Sequence, residues 1–227
     1  MSRIETTQGV LARRGFADAA AAMQILRGWD DAQAHLLDLV TEAADPDLAL
    51  NAIDRLGEVV PDLLLRLTNS PDLARHLITL LGASEYIGRH LLARPEHLDW
   101  LDGDVQPLTA DAIRAELLRS VGADPEAPLA TDLVGDGLRL AYRGHLMRIA
   151  AWDVCDPEPI EVMPRVADAL SDLADATLEA ALAISRAKVG EKGLKTRLAV
   201  VGLGKCGAQE LNYVSDVDVL FVAEPML

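Results

Sequence analysis

The chain has 227 residues and a formal net charge of −15; half of its residues are hydrophobic and only 4% are aromatic. That acidity excludes a broad phosphate-neutralising surface, so nucleic acid is not an expected partner, although a nucleotide can still be held locally by backbone N–H groups and a metal ion. A core of Leu, Ala, Val and Ile suits helix-on-helix packing. Cys155 and Cys206 are too few for a disulfide framework, the N-terminus lacks the apolar stretch of a signal peptide, and no run of about 18 apolar residues occurs. No membrane span is expected, and a reducing cytoplasm is the expected compartment.

Residues 16–28 form the first expected helix, rich in Ala with Met23, Ile25 and Leu26. The next opens at Trp29-Asp30-Asp31, with an aspartate as N-cap, and carries Leu36, Leu37, Leu39 and Val40 on one stripe. Asp45-Pro46 starts a third, striped by Leu48, Leu50, Ile53 and Leu56 and ended by Gly57. Pro61-Asp62 opens the run from Leu63 to Leu67. Ser70-Pro71-Asp72 combines a cap, a first-turn proline and an acid at the positive helix end, and launches a helix through Leu73, Leu77, Ile78 and Leu81 to Gly82. Residues 84–93 and 95–101 extend the pattern. His76, His90 and His97 show no metal-type spacing and read as solvent-facing or helix-terminal.

Thr109 caps a helix reaching Val121, and the stretch from Gly122 to Pro128 is the best internal linker candidate. A longer helix is expected from Leu133 to Val154; Arg139, Arg143 and Arg148 give it a basic side, read first as solvated or paired within the chain and second as a partial phosphate or partner contact. Cys155-Asp-Pro-Glu-Pro159 breaks it. Residues 161–189 carry the clearest helical pattern, with Val166, Leu170, Leu173, Leu178 and Ile184 on one side. Asp168, Asp172, Asp175 and Glu179 form what reads as a solvated face, and Gly190 and Gly193 end the helix.

The periodicity then changes, and strands are expected at 196–201 and 216–223. Between them, Gly202-Leu-Gly204-Lys-Cys-Gly207 matches the letters of a dinucleotide-binding turn. The helix expected after it, Ala208 to about Tyr213, is too short for a dinucleotide-binding crossover. Lys205 is followed by Cys rather than Ser or Thr, so a P-loop is also excluded. Read as a strand, Ser215 to Val222 points Asp216 and Asp218 to one face and Val217 and Val219 into a core. Two such carboxylates repel unless they share a cation; Mg²⁺, with its preference for oxygen, fits both them and a substrate phosphate. The turn at Gly207-Ala208 is expected to open a helix whose N–H groups hold phosphate oxygens.

The run from Gly202 through Ser215-Asp216-Val217-Asp218 to Phe221 resembles the signature of glutamine synthetase adenylyltransferases. These bifunctional enzymes add AMP to, and remove it from, a tyrosine of glutamine synthetase. Their catalytic modules belong to the DNA polymerase β-like nucleotidyltransferase superfamily. The family's glycine motif usually reads Gly-Lys-Leu-Gly-Gly; here Cys206 stands for Leu and Ala208 for the second Gly, adding a methyl where phosphate approaches. The segments Leu80–Ser84, Arg94–His97, Tyr142–Asp153 and Ser171–Ala176 are also similar to the family. The resemblance implies Asp216 and Asp218 as the catalytic, metal-binding pair, with Gly204, Lys205, Gly207, Ala208 and Ser215 around the nucleotide. It implies Mg²⁺ as cofactor, ATP or ADP and phosphate as substrates, a third carboxylate from a further strand, and glutamine synthetase and a PII-type signalling protein as partners. A start at Met1 with a helical lead resembles the N-terminal half, which implies the deadenylylating, ADP-releasing module.

The expected chain is therefore mainly α. An irregular helical region spans 1–122, and long helices span 129–194. The first strands of an α/β nucleotidyltransferase module, truncated, occupy 195–227. With two carboxylates and unpaired strand edges, residues 1–227 alone are expected to show little or no deadenylylase activity, and to associate or be partly disordered beyond about residue 195. The competing readings are a non-catalytic helical nucleotide-binding or regulatory module and a Rossmann-type dinucleotide binder.

Overall fold

The computed structural model describes residues 6–190 and 195–225, so Gly193 of the expected helix end lies outside the described residues. The helices are α1 (Gln8–Arg13), α2 (Ala19–Leu26), α3 (Ala34–Glu42), α4 (Pro46–Val59), α5 (Leu63–Asn69), α6 (Pro71–Ala83), α7 (Glu85–Ala93), α8 (Ala110–Ser120), α9 (Asp136–Cys155), α10 (Pro159–Val189) and the single turn α11 (Gly204–Gly207). Short 3₁₀ turns cover Asp31–Gln33 and Pro95–Leu101. Two strands, β1 (Thr196–Gly202) and β2 (Val219–Pro225), follow α10, and among the described residues no strand precedes them. The chain is mainly α, as its periodicity requires. Among the described residues no helix is long and apolar enough to cross a membrane.

The helix starts follow local chemistry. Thr7, Asp18, Asp45, Ser70, Ser84 and Thr109 each accept a hydrogen bond from a backbone N–H three residues on, satisfying a donor that the first helical turn leaves free. Pro46 and Pro71 sit in first turns, where no N–H is needed. Gly57 does not end its helix: α4 runs on to Val59, because an isolated glycine weakens a helix by only about 1 kcal/mol.

Residues 1–105 and 150–157 form one compact unit. Its centre is α6, which packs against α3, α4, α5 and α7. Leu73, Ala74, Leu77, Ile78, Leu80 and Leu81 of α6 are all buried, so this helix shows water almost no face. That environment corrects the reading of the histidines. His76, His90 and His97 are buried rather than solvent-facing. Each is satisfied internally, as buried polar groups must be: His76 Nδ1 lies 2.9 Å from the Leu101 carbonyl, and His90 Nε2 lies 3.0 Å from His97 Nδ1. The His97 ring also stacks on Trp100 with centroids 5.4 Å apart.

Residues 106–149 and 158–227 form the second unit. Here α8 packs along α10, whose buried side carries Val162, Val166, Leu170, Leu173, Ala176, Ala180 and Ala183. Arg114 of α8 grips Glu179 of α10 with two hydrogen bonds of 2.6 Å, and its guanidinium also donates to the Pro125 carbonyl at 3.0 Å. Glu179 is thus an ion-pair partner, not part of a solvated face. Ala123 and Ala130 are buried, and the Thr131 and Asp132 amides both donate to the Val121 carbonyl at 3.0 Å. On α9, Arg139 pairs with Asp136, and Arg148 donates to the Gln106 carbonyl at 2.8 Å. Gly190 closes α10 with φ +70°, a conformation that L side chains rarely adopt.

The strands pair antiparallel, with Gly202 opposite Val219, Val200 opposite Phe221 and Thr196 opposite Pro225. β2 begins at Val219, three residues later than expected, so Asp216 and Asp218 precede the strand instead of lying in it. Val217 is 39% exposed and does not enter a core. Leu220, Phe221 and Val222 are more than half exposed, so β2 presents apolar side chains on both faces.

Candidate active site

The site is the connection between the two strands, residues 203–218. A dinucleotide-binding turn joins parallel strands through a crossover helix. Here the strands are antiparallel and the only helix between them is the one-turn α11, so that reading is overturned. The glycine pattern has another cause. A Cβ on Gly207 would lie 2.3 Å from the Gly202 carbonyl oxygen, so the backbone itself occupies the space of a side chain. Gly202 and Gly207 let the chain fold back on the end of β1.

α11 begins at Gly204, which takes φ +53°, and ends at Gly207; Ala208 is its C-cap. The Gly207 and Ala208 amides donate to Leu203 and Gly204 carbonyls at 3.1 and 3.0 Å. The expected helix from Ala208 to Tyr213 is absent, and Gly207-Ala208 closes a helix rather than opening one. The physical reason is the left-handed Gln209, φ +58°, which turns the chain out of helical register. Beyond it, Asn212 builds a side-chain turn: its Oδ1 accepts from the Val214 amide at 3.2 Å and from Ser215 Oγ at 2.7 Å.

Ser215 Oγ also lies 3.5 Å from Lys205 Nζ, which brings the only cationic side chain of the connection to the residue before Asp216. The Leu203 amide donates to the Asp218 carbonyl at 2.9 Å, extending the ladder one step beyond Gly202 and Val219. Asp218 is thereby tied to the end of β1, and Asp216 follows two residues upstream. Both carboxylates are exposed, and neither has an ion-pair or hydrogen-bond partner among the described residues. Such a pair of hard oxygen donors fits Mg²⁺, which is ordinarily held by one or two carboxylates, with phosphate and water completing its shell. Among the described residues no group of three or more His, Cys, Asp or Glu side chains clusters for a metal.

Beneath the connection, α10, β1 and α11 enclose a cleft of about 410 Å³ lined by Asp175, Leu178, Leu182, Leu198, Cys206 and Gln209 among others. Gly207 lines it too, whereas Lys205, Ser215, Asp216 and Asp218 do not. The cleft exposes a contribution that the sequence concealed. Asp175 Oδ1 lies 3.9 Å from Cys206 Sγ and its Oδ2 lies 3.5 Å from Gln209 Nε2. The buried Ser171 hydroxyl accepts from the Leu211 amide at 3.3 Å. Burial, then the charge of Asp175, pushes the Cys206 thiol above its usual range, so it stays protonated. Burial and the neighbouring Asp175 and Asp168 carboxylates likewise push Asp172 up. On a helical wheel these acids sit off the apolar stripe; only the spacing of Ser171 and Asp175, one turn apart, signals a shared partner.

The profile of the glutamate-ammonia ligase adenylyltransferase family matches residues 74–226 of this chain. The chain belongs to that family. It is similar to three proteins named bifunctional glutamine synthetase adenylyltransferase/adenylyl-removing enzyme. That of Cutibacterium acnes is 46% identical over 186 residues, covering 80% of this chain and 19% of the relative. That of Streptomyces coelicolor is 43% identical over 224 residues, 94% of this chain and 21% of the relative. That of Leifsonia xyli is 37% identical over 243 residues, 99% of this chain and 24% of the relative. The chain therefore spans roughly a fifth of the length of these adenylyltransferases. The family match includes the whole strand–turn–strand unit and the helices that support it.

Proposed function

We propose that this chain carries part of a nucleotidyl-transfer module that acts on an adenylylated tyrosine of glutamine synthetase in the deadenylylating direction. One observation carries the reading: a glycine-cornered antiparallel hairpin that presents Lys205, Ser215, Asp216 and Asp218 together at one end, in a chain of the adenylyltransferase family. In that direction an oxygen of inorganic phosphate bonds to the adenylyl phosphorus and the bond from phosphorus to the tyrosine oxygen breaks. ADP leaves, and the tyrosine hydroxyl regains its proton.

Asp216 and Asp218 would hold Mg²⁺. When bound, that ion neutralises phosphoryl oxygens and supplies positive charge where negative charge develops. Lys205 places an ammonium beside the same oxygens, and Ser215 orients it. Gly204, Gly207 and Ala208 leave the backbone of the turn exposed for close approach of phosphate. Adenine nucleotide and phosphate are then the small-molecule substrates, with glutamine synthetase and a PII-type signalling protein as partners of the complete enzyme. A cytoplasmic setting agrees with the two free thiols, Cys155 and Cys206.

The test measures ADP release from adenylylated glutamine synthetase with phosphate and Mg²⁺, and AMP addition from ATP in parallel, in the complete enzyme. Asp216→Asn and Asp218→Asn should each lower ADP release by about 10²-fold or more. Near-normal ADP release in both variants would sink the assignment. Loss of AMP addition with ADP release intact would place the site in the opposite module. The isolated 227 residues should show little or no turnover in the same assay.

A further inference from the structure

Residues 203–218 carry the carboxylates and the lysine, yet most of this connection is exposed. Only two of its side chains, Cys206 and Leu211, are buried. Both are anchored on the same stretch of α10. The Leu211 amide donates to Ser171 Oγ at 3.3 Å, while the same hydroxyl donates to the Ala167 carbonyl at 2.9 Å, so a completely buried serine has both of its roles filled. Cys206 Sγ faces Asp175 Oδ1 at 3.9 Å, and the thiol, kept protonated, is the donor. Gln209, whose left-handed backbone turns the chain, reaches the other oxygen of Asp175 at 3.5 Å. One turn further along α10, Glu179 is locked to Arg114 of α8, which fixes the rotation of the face that carries Ser171 and Asp175.

We infer that Ser171 and Asp175 are positioning residues that clamp the 203–218 connection onto α10 and thereby set where Lys205, Asp216 and Asp218 stand. The inference rests on the site reading given above. Neither residue has a described contact with the two carboxylates; each acts through Cys206, Gln209 or Leu211. Removing the Ser171 hydroxyl leaves the buried Leu211 amide without its acceptor, and the connection then opens locally more often. Displacement of the carboxylates by about 1 Å would be enough to lower turnover by about 10²-fold.

The test uses the complete enzyme with Ser171→Ala, Asp175→Ala and Asp175→Asn, and with Asp216→Asn alongside. Two readouts are taken: amide hydrogen exchange of peptides covering 203–218, and the Mg²⁺ concentration that gives half-maximal ADP release. Both alanine variants should exchange about 10-fold faster in 203–218 while the rest of the second unit keeps its parent exchange. Their half-maximal Mg²⁺ concentration should rise by about 10-fold, a change that a general loss of stability does not produce. Asp175→Asn keeps an acceptor oxygen for only one of Cys206 and Gln209 and turns an NH2 toward the other, so it should fall between the parent and Asp175→Ala in both readouts. Parent-like exchange and Mg²⁺ dependence in both alanine variants, beside an inactive Asp216→Asn, would overturn the clamp. Full turnover by Asp216→Asn would instead sink the reading of the site, and the exchange of 203–218 would still decide the clamp.

Discussion

Replacing Gly207 by alanine probes the tightest point of the connection. The new Cβ would meet the Gly202 carbonyl oxygen at 2.3 Å and its carbon at 2.8 Å. Ordinary contact begins about 1 Å further out. Both partners are backbone, so no side chain can rotate away; either α11 or the end of β1 must move. Forcing a methyl into so filled a space costs about 1–3 kcal/mol locally. The displacement does not stay local. Gly202 pairs with Val219, and the next residue, Leu203, holds the Asp218 carbonyl. A shift of about 1 Å at the carboxylates corresponds to about 10²-fold in turnover, or about 2.7 kcal/mol. The assay is ADP release from adenylylated glutamine synthetase by the complete enzyme, with far-ultraviolet circular dichroism to check that the helices persist. Turnover of Gly207→Ala within about twofold of the parent, with the helices intact, would refute the link between this backbone contact and the position of Asp218.

Stability should also fall on acidification below about pH 6.5. Burial pushes the imidazoles of His97 and His145 below their usual value, against the opposing pull of Glu96 and Glu116. The unfolded chain therefore binds more protons in this range, so the histidine contribution is complete above the unfolded value and is lost as pH drops toward the folded one. Asp172, pushed up by burial, works in the opposite direction, so the histidine share is read by comparing urea midpoints of the parent with His97→Gln between pH 7.5 and 5.5; equal pH dependence would rule it out. Gly57→Ala should stabilise the first unit by about 0.5–1 kcal/mol, because Gly57 lies inside α4 with no atom within 4 Å of the added methyl. A lowered unfolding midpoint would count against that account.

The helical body was legible because its signals are local. Ser70-Pro71-Asp72 and Asp45-Pro46 satisfy helix ends through atoms three residues away, and the three-residue spacing of Leu50, Ile53 and Leu56 declares a buried side without reference to any partner. The site motif was legible for a similar reason: a glycine corner, a lysine and two aspartates lie within fifteen residues, from Gly204 to Asp218. What the sequence could not display was any contact between distant residues. His76 looked like a surface histidine because the wheel of α6 says nothing about helices packed on its other faces. Asp216 and Asp218 sat on a run that reads as strand, but the paired residues end at Gly202 and Val219, and only one further hydrogen bond, from the Leu203 amide to the Asp218 carbonyl, reaches beyond them. Asp175 and Glu179 read as solvated residues on an amphipathic helix, and Ser171 only as part of a family-like segment, until folding brought Cys206, Arg114 and Leu211 against them from 31 to 65 positions away. Capping and periodicity act over a few residues and are written in the order of the chain. Burial, ion pairing and the aim of the 203–218 turn depend on which surfaces meet, and that is decided only by tertiary packing.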